Sequence, residues 1–368
     1  MSLFTLRGEL TKSQTILLGI GGFLLTLTLW WAAAEGLSAQ KPVLNSESQL
    51  PSALDSTVTT AQRDSLARLD SIQYAEAKTF VKVYPILPPP HRVLGSFVEL
   101  TTKDGLWANT SRSIWLNVQG YLWAMLLAIP LGFLVGLVPL MRGLFSKQID
   151  ALRYLPLTAL TGLFIVWFGI YDQMKIAFLA FGIIVYLLPV VIQRIFEVEN
   201  VYIQTTYTLG ATKWQTIKNI YFPAVFAKLI DDIRVLTAIS WTYIIIAELL
   251  NREGGIGALI YQKARQGQVE KVFAILIVII SIGFLQDRIF AYADKRLFPY
   301  KYYSTTPDGL KEAQYGIYTI LGTLLAAMLT AGFAPTLAEN LSLAVPVVVV
   351  SALLIIGYGE FRIWQSAR

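Results

Sequence analysis

The chain has 368 residues, of which 55% are hydrophobic and 15% are charged, with a formal net charge of +6. This apolar share exceeds that of soluble domains and indicates a chain that lies in a lipid membrane. Cysteine is absent and histidine occurs once, so disulfides, thiol chemistry and a histidine metal site are excluded and no cofactor is expected. The basic residues mostly flank apolar runs, which favours lipid-headgroup contacts and not nucleic-acid binding.

The apolar runs have the length of membrane helices, about 17 to 25 residues, and do not alternate as barrel strands do. The sequence therefore predicts an all-α membrane protein, a polytopic helical bundle with about 8 transmembrane helices. The predicted spans are Thr15–Ala34, Ile114–Leu140, Ala151–Ile170, Lys175–Ile195, Leu229–Leu250, Val272–Tyr292, Tyr315–Ala334 and Leu341–Tyr358.

The first span could be retained or cleaved. Arg7 and Lys12 precede it and place the amino terminus in the cytoplasm. Ala32 to Ala34 resemble a signal-peptide cleavage site, but the apolar run is longer than most signal-peptide cores, which favours a retained helix. The predicted regions are an N-terminal transmembrane helix at 1–34, an external (periplasmic) segment at 35–90, a central region at 91–303 with a cytoplasmic loop at 196–228, and two additional C-terminal transmembrane helices at 304–368.

The external segment is rich in Ser, Thr and Gln and ends in a run of prolines. Apolar residues recur at near-helical spacing between about Ser52 and Phe80, which predicts one amphipathic helix. A partly ordered spacer is an equally good interpretation. A short interfacial helix is predicted over His91–Leu100.

The cytoplasmic loop contains the stretch QTTYTLGATKWQTIKNIYFPA, Gln204 to Ala224, whose lysines a membrane-spanning helix would not tolerate. Gly210 can adopt the left-handed conformation that ends a helix, and Thr212 can cap the next helix. This second helix runs to Pro223, which stops it or opens the following span. The pattern predicts a helix-turn-helix, and packing against its own bundle is the alternative to a docking role. Its apolar faces would carry Tyr207, Leu209, Trp214 and Ile217.

The segment LGATKWQTIKNIYFPA resembles the cytoplasmic loop of inner-membrane permeases of binding-protein-dependent ABC importers. In those proteins a glutamate-alanine-alanine triplet is followed by a glycine and then by a proline. The triplet here is Gln204-Thr205-Thr206, which departs from the acidic form and puts any contact that needs the carboxylate in doubt. The residues that the resemblance assigns to ATPase coupling are Gln204, Thr205, Thr206, Tyr207, Leu209, Gly210, Ala211, Trp214 and Pro223.

Four further segments are similar to the nitrate, sulfonate and taurine branch of these permeases. They occur in the order of that branch, between about Pro88 and Tyr300, and imply a type I ABC importer permease core. The long external segment and the last two spans are not part of the usual pattern. The four segments are LPPPHRVLGSFVEL, YLPLTALTGLFIVWFGI, IAELLNREGGIGALI and ADKRLFPY.

The resemblance implies a subunit that crosses the inner membrane, pairs with a second permease copy and receives solute from a solute-binding protein. Each cytoplasmic coupling helix would sit in a groove of a separate ABC ATPase subunit. The chain has no GxxxxGK[ST] sequence to cradle ATP, so it is not expected to be an enzyme. ATP hydrolysis is expected on the partner chain.

Polar residues near the fifth span are candidates for the solute pathway or its gate. Glu248 is expected near the external end of that span, either as a gate residue that contacts the following glycine turn or as an interfacial acid. Arg234 is interpreted as an anchor at the inner interface, with a solute ligand as the alternative, and Asp231 and Asp232 as the polar flank before the span. The pathway or gate candidates are Thr237, Ser240, Thr242, Glu248, Gly255 and Gly257.

The sequence therefore predicts a permease subunit that carries a small anion, such as a sulfonate, nitrate or bicarbonate. One alternative is a membrane scaffold or anchor derived from a permease, which the altered triplet and the added helices favour. Another is an ion-driven secondary transporter, which would require inverted repeats and charges deep inside the spans, and the sequence shows neither.

Overall fold

A computed structural model describes residues 8, 10–42, 80–251, 253–303 and 307–366 of the chain. The predicted all-α class is confirmed, because helices make up most of the described residues. In chain order the elements are α1 (Lys12–Gly36), β1 (Ala39–Pro42), β2 (Phe80–Val83), α2 (Pro90–Thr102), α3 (Leu106–Leu137), α4 (Pro139–Leu152), α5 (Thr161–Phe168), α6 (Asp172–Phe196), α7 (Asn200–Thr208), α8 (Lys213–Thr216), α9 (Phe222–Asn251), α10 (Ile256–Arg265), α11 (Val269–Leu297), α12 (Leu310–Phe333) and α13 (Pro335–Ser366).

The number of membrane spans agrees with the sequence. Within the described residues, 7 helical segments are long and apolar enough to cross a membrane, or up to 8 if one bent pair counts as a span. The longest segment, Lys213–Leu250, is continuous through α8, a π-helical turn at Ile217–Tyr221 and α9. Pro223 therefore opens the following span and does not stop the second loop helix.

The predicted third span, Ala151–Ile170, is not one helix. α4 ends at Leu152, a 3-10 turn covers Leu157–Leu160, and α5 follows, so that the two halves are bent by 94°. Pro156 explains the break, because proline has no N–H and disfavours helical backbone at the residue before it. Pro156 is one of three span prolines, with Pro130 and Pro189, that the sequence offers as hinges or static kinks.

The described chain divides into two compact units, Met1–Gly105 with Gln262–Leu276, and Leu106–Tyr261 with Ile277–Arg368. In the first unit, β1 and β2 pair antiparallel, with Ala39 opposite Val83. The sequence predicted no strand there.

The expected short helix is present as α2, which Pro90 opens. Residues 52–79 of the expected amphipathic helix lie outside the described residues, and Phe80 belongs to β2.

The second unit is built around α3, α6 and α9. Glycine lets α3 and α6 approach closely, since a Cβ at Gly132 would lie 2.5 Å from Val191 Cγ1. α9 packs beside them, where the Tyr121 hydroxyl of α3 donates to the Ile233 carbonyl at 2.7 Å. These contacts hold both ends of the cytoplasmic loop on one helical core.

The helices α12 and α13 form a hairpin in the second unit. Arg362 donates to Glu312 at 2.7 Å between them, and Arg296 at the end of α11 donates to Glu360 of α13 at 2.6 Å. The predicted boundaries at 34, 90 and 303 describe functional regions and remain a prediction.

Candidate functional site

The cytoplasmic loop folds into a hairpin whose turn is defined by backbone geometry. α7 ends at a left-handed Gly210 with φ 75°. The Gly210 amide donates to Tyr207 O at 3.0 Å, and the Ala211 amide donates to Thr206 O at 3.0 Å. This pair of bonds satisfies the last carbonyls of α7 and reverses the chain direction within a few residues.

A capping box begins the second half of the hairpin, as the sequence predicted at Thr212. The Gln215 amide donates to Thr212 Oγ1 at 3.3 Å, and the Thr212 amide donates to Gln215 Oε1 at 2.8 Å. Both sides of the turn are thus fixed by hydrogen bonds, so the hairpin presents its surface in a defined geometry.

Ion pairs join the two ends of the hairpin at its base. Glu197 follows α6 and accepts from Arg194 at 2.6 Å and from Lys228 of α9 at 3.3 Å. The hydrogen bond from Arg194 lowers the pKa of Glu197, although partial burial opposes the shift. Arg194 also binds Asp232 through two bonds, at 2.7 and 2.8 Å. The loop residues therefore begin and end on one ion-pair network.

Around its turn, from Tyr207 to Ile217, the hairpin exposes three large apolar side chains. Tyr207 is 54% exposed, Leu209 80% and Trp214 70%, whereas Ile217 is half-buried. These three residues form the apolar tip of the hairpin. An apolar patch of this kind on a polar loop is typical of an interaction surface.

The altered triplet lies beside this apolar tip. The hydroxyls of Thr205 and Thr206 donate to carbonyls of their own helix, at Val201 and Ile203, each at 2.8 Å. Gln204 is exposed. The exposed Pro223 lies where α9 begins.

A second set of predicted residues meets at the end of α9. Glu248 is fully buried and accepts from Ser113 Oγ at 2.6 Å and from the Gly257 amide at 2.8 Å. The sequence had predicted contact between Glu248 and the glycine turn. Gly255 has φ 100°, and a Cβ there would lie 2.3 Å from the Glu248 carboxylate. The turn therefore needs glycine both for its backbone and for its closeness to Glu248.

Asn109 and Ser113 of α3 complete this site. We call the set of Asn109, Ser113, Glu248 and the turn at residues 255–257 the turn clamp. The Gly255 amide donates to Asn109 Oδ1 at 2.8 Å, and the Ile256 amide donates to Ser113 Oγ at 2.8 Å. Together with the bond from Gly257 to Glu248, three successive amides at the start of α10 each find a side-chain acceptor from another helix. A carboxylate at this helix N-terminus is also favoured by the helix dipole.

The α3 side of the turn clamp was not predicted from the sequence. Arg112 lies beside the clamp and donates to both oxygens of Asp172 at 3.1 Å, and the fully buried Lys175 donates to Asp172 at 3.0 Å. Asn109, Arg112 and Ser113 have the i, i+3, i+4 spacing of one helix face. This spacing was the feature of the sequence that could have indicated a shared polar face on α3.

The remaining pathway candidates lie on different faces of α9. Thr237 and Ser240 are buried, and their hydroxyls donate to Ile233 O at 2.8 Å and to Thr237 O at 2.7 Å. Ser240 also donates to Asn117 Oδ1 of α3 at 3.0 Å. Thr242 is exposed. Only Thr242 of these three therefore lies on an outer surface of the chain.

Comparison with known proteins identifies the central region. The family described as "Binding-protein-dependent transport system inner membrane component" matches residues 128–299. A putative ABC transporter permease protein of Methanocaldococcus jannaschii is 31% identical over 197 residues, which cover 52% of this chain and 73% of that protein.

Two further relatives carry more specific names. The taurine transport system permease protein TauC of Escherichia coli (strain K12) is 26% identical over 219 residues, covering 58% of this chain and 80% of TauC. The putative aliphatic sulfonates transport permease protein SsuC of Bacillus subtilis (strain 168) is 28% identical over 227 residues, covering 59% and 78%. A chain of the inward-facing MetNI methionine ABC transporter aligns with a TM-score of 0.44 at 18% identity, over 52% of this chain and 98% of that one.

The matched residues contain both the hairpin and Glu248. The family description together with the apolar helices confirms the predicted multi-pass location in the inner membrane. The relatives named for taurine and for aliphatic sulfonates confirm the predicted branch. The chain therefore belongs to the inner membrane components of binding-protein-dependent transport systems, within the nitrate, sulfonate and taurine branch of ABC importer permeases.

Proposed function

We propose that this chain forms the solute pathway of an ABC importer and receives the energy of ATP hydrolysis from a separate ATPase subunit through the hairpin at 196–228. The observation that carries this proposal is the apolar tip of Tyr207, Leu209 and Trp214, exposed on a turn that is fixed from both sides. A rigid hairpin transmits movement, because its backbone cannot absorb it by bending.

The apolar tip fits a protein groove better than it fits water. A few buried residues, most often Trp, Tyr and Arg, contribute most of the affinity at protein interfaces, and the tip carries both Tyr207 and Trp214. The loop helix α8 continues through the π-helical turn into α9, as one helical segment from Lys213 to Leu250. A displacement of the tip would therefore reach the membrane-spanning part of α9 directly.

The turn clamp fits a gate on the solute side. Glu248 and its partners on α3 hold the start of α10, so a movement of α9 against α3 would change the position of this turn. We infer that Glu248, Gly255 and Gly257 position the outer gate, and that Asn109 and Ser113 act with them.

The solute is proposed to be a small anion, such as a sulfonate, nitrate or bicarbonate. The names of TauC and SsuC support this class, since they refer to taurine and to aliphatic sulfonates. The assembly would contain two copies of this chain, two ATPase subunits and a solute-binding protein that delivers the anion.

A membrane scaffold derived from a permease is the second candidate. The triplet Gln204-Thr205-Thr206 favours it, because it lacks the acidic residue that the family loop carries at this place. A scaffold would leave the apolar tip without an ATPase partner, so the two candidates differ in ATPase binding.

The test is the affinity of the detergent-purified chain for its partner ATPase. Tyr207→Ala should raise the Kd by about tenfold or more, as expected for a central aromatic residue of an interface. Tyr202→Ala is the matched control, because Tyr202 is on the same helix and 55% exposed but outside the apolar tip. Equal affinity of the two variants, or no ATPase binding by the wild type, would refute the coupling role.

A further inference from the structure

One ion pair lies on the outer surface of the second unit. Arg234 of α9 donates from Nε and Nη2 to both carboxylate oxygens of Asp287 of α11, the second bond at 2.7 Å. The Arg234 side chain is 38% exposed and that of Asp287 is 40% exposed. The pair is therefore not shielded by the rest of the chain.

The depth of this pair is unusual for exposed charges. Counted from Leu250 at the other end of α9, Arg234 lies about 24 Å along the helix at about 1.5 Å per residue. The same count from Lys271 places Asp287 about 24 Å along α11. The hydrocarbon core of a membrane is about 30 Å thick, and a tilted helix would put both residues deeper still. Measured this way, both charges lie about 6 Å inside the cytoplasmic edge of the lipid tails.

Contact with lipid tails would raise the free energy of this ion pair, because charged groups lose their hydration there. Arginine can extend toward the interface, but here its guanidinium is held by Asp287, and an aspartate side chain is too short to reach the headgroups. Charged residues at this depth face water-filled cavities or protein. The surface of α9 and α11 that carries the pair must therefore be covered by water or protein in the membrane.

Of the first three exposed residues of α9 that follow Arg234, two are small or polar and one, Val235, is apolar and 67% exposed. Ala238, one turn from Arg234, and Thr242, one turn further, are both exposed on α9. Small and hydroxyl-bearing side chains leave space beside the helix and bind water. Nearer the cytoplasmic end of the helix, Asp231 is also exposed.

We propose that the surface formed by Arg234, Ala238, Thr242 and Asp287 lines the aqueous solute pathway, and that Arg234 is the residue that contacts an anionic solute there. This inference deepens the proposed function and rests on it. Asp287 binds the edge of the guanidinium formed by Nε and Nη2. The edge formed by Nη1 and Nη2 can bind a carboxylate, sulfonate or nitrate through two parallel hydrogen bonds. Asp287 is then a positioning residue that fixes the plane of the guanidinium.

The cysteine-free sequence allows a direct test with thiol reagents. Ala238→Cys is made in the full chain, in membranes that contain its ATPase and are open to reagent on both sides. Its reaction rates with anionic 2-sulfonatoethyl methanethiosulfonate and with cationic 2-trimethylammonioethyl methanethiosulfonate are measured. Leu354→Cys on α13 is the lipid-facing control, since Leu354 is 70% exposed in an apolar run. We expect Ala238→Cys to react with both reagents at least about tenfold faster than the control, because the thiolate forms only in water.

The ratio of the anionic to the cationic rate then reports the charge at Arg234. Adding Arg234→Gln should lower this ratio about fivefold or more, and Asp287→Asn should raise it, since one charge at close range is removed in each case. Arg234→Lys keeps the charge and should keep the ratio within about twofold. It also serves as the reference if Arg234→Gln inserts poorly.

Two results would overturn the proposal. An unreactive Ala238→Cys would mean that the surface is dry and covered by the second copy or by lipid. A ratio that does not respond to Arg234→Gln and Asp287→Asn would mean that Arg234 does not attract anions. Neither result depends on ATPase affinity, so failure of this inference and failure of the coupling hairpin can be told apart.

Discussion

The carboxylate of Glu248 and the backbone amide of Gly257 are joined by a 2.8 Å hydrogen bond between the end of α9 and the start of α10. Ser113 of α3 donates to the same carboxylate and accepts from the preceding amide, that of Ile256. One buried acid thus links two neighbouring helices to a glycine turn. Burial of a carboxylate is costly unless hydrogen bonds compensate, which makes this site sensitive to small changes.

The first prediction concerns the space beside Glu248. Gly255→Ala would place a Cβ 2.3 Å from the carboxylate at a φ of 100°. The carboxylate must move, and the buried donors that it leaves should cost about 1 to 3 kcal/mol each. We expect reduced solute uptake with normal ATPase binding. Gly283→Ala on α11 is the control, because a Cβ there meets no atom within 4 Å. Equal uptake by both variants would show that the turn clamp has no part in transport.

The second prediction concerns pH and the first unit. Asp104 accepts from Lys263 at 2.6 Å and from Lys271 at 2.9 Å, and Lys271 also pairs with Glu99 at 3.0 Å. Burial alone would raise the pKa of Asp104, but the bonds from the two lysines outweigh it and lower the pKa. The hydrogen bond from Lys271 lowers the pKa of Glu99.

A lowered pKa means that the ion pairs stabilise the folded state above the unfolded pKa of about 4 and lose this effect as pH falls through the folded value. We therefore expect the Tm of the wild type to fall steeply below about pH 4. Asp104→Asn should have a lower Tm at pH 7 and a smaller further decrease on acidification. Parallel pH profiles for the two proteins would contradict this role of Asp104.

The third prediction concerns the two added helices. Arg296 is 7% exposed, and Glu360 of α13 accepts from it at 2.6 Å and from Tyr292 at 2.6 Å. Truncation after Tyr303 should lower stability by exposing this arginine, yet leave a chain that inserts, pairs and binds its ATPase. The full-length variant Glu360→Gln isolates the ion-pair effect, about 1 to 3 kcal/mol. A truncated chain that no longer inserts would place α12 and α13 in the essential core.

The sequence predicts local features of this molecule well. The end of α7 and the start of α8 follow from Gly210 and Thr212, because helix caps depend on neighbouring residues alone. The number of membrane spans was predicted from the lengths of the apolar runs. Of Pro130, Pro156 and Pro189, each interpreted as a hinge or a static kink, only Pro156 breaks its helix. The sequence could not single it out, since proline is also tolerated inside continuous membrane helices, as Pro130 and Pro189 are in α3 and α6.

Contacts between distant residues could not be predicted in the same way. Glu248 was found as an isolated acid in a span, but its partner Ser113 is far away in sequence and has no feature of its own. Likewise β1, with the sequence AQKP, lacks the alternating pattern of a strand and is defined only by pairing with β2.

The fourth prediction tests the geometry of the coupling hairpin. Gly210 has φ 75°, and a Cβ there would meet no atom within 4 Å, so only backbone strain opposes a side chain. Gly210→Val should cost about 1 to 2 kcal/mol and distort the turn, because a β-branched residue enters this region rarely. Gly210→Asn is the control, since asparagine tolerates the left-handed conformation. Both variants should insert normally.

Coupling through the hairpin is measured as solute-stimulated ATP hydrolysis in proteoliposomes that contain the chain, its ATPase and its binding protein. We expect wild type and Gly210→Asn to show stimulation, and Gly210→Val to lose it while the amount of inserted chain stays the same. Wild-type stimulation in Gly210→Val would contradict the account, because the hairpin would then be an ordinary cytoplasmic loop and not the element that couples ATP hydrolysis to transport.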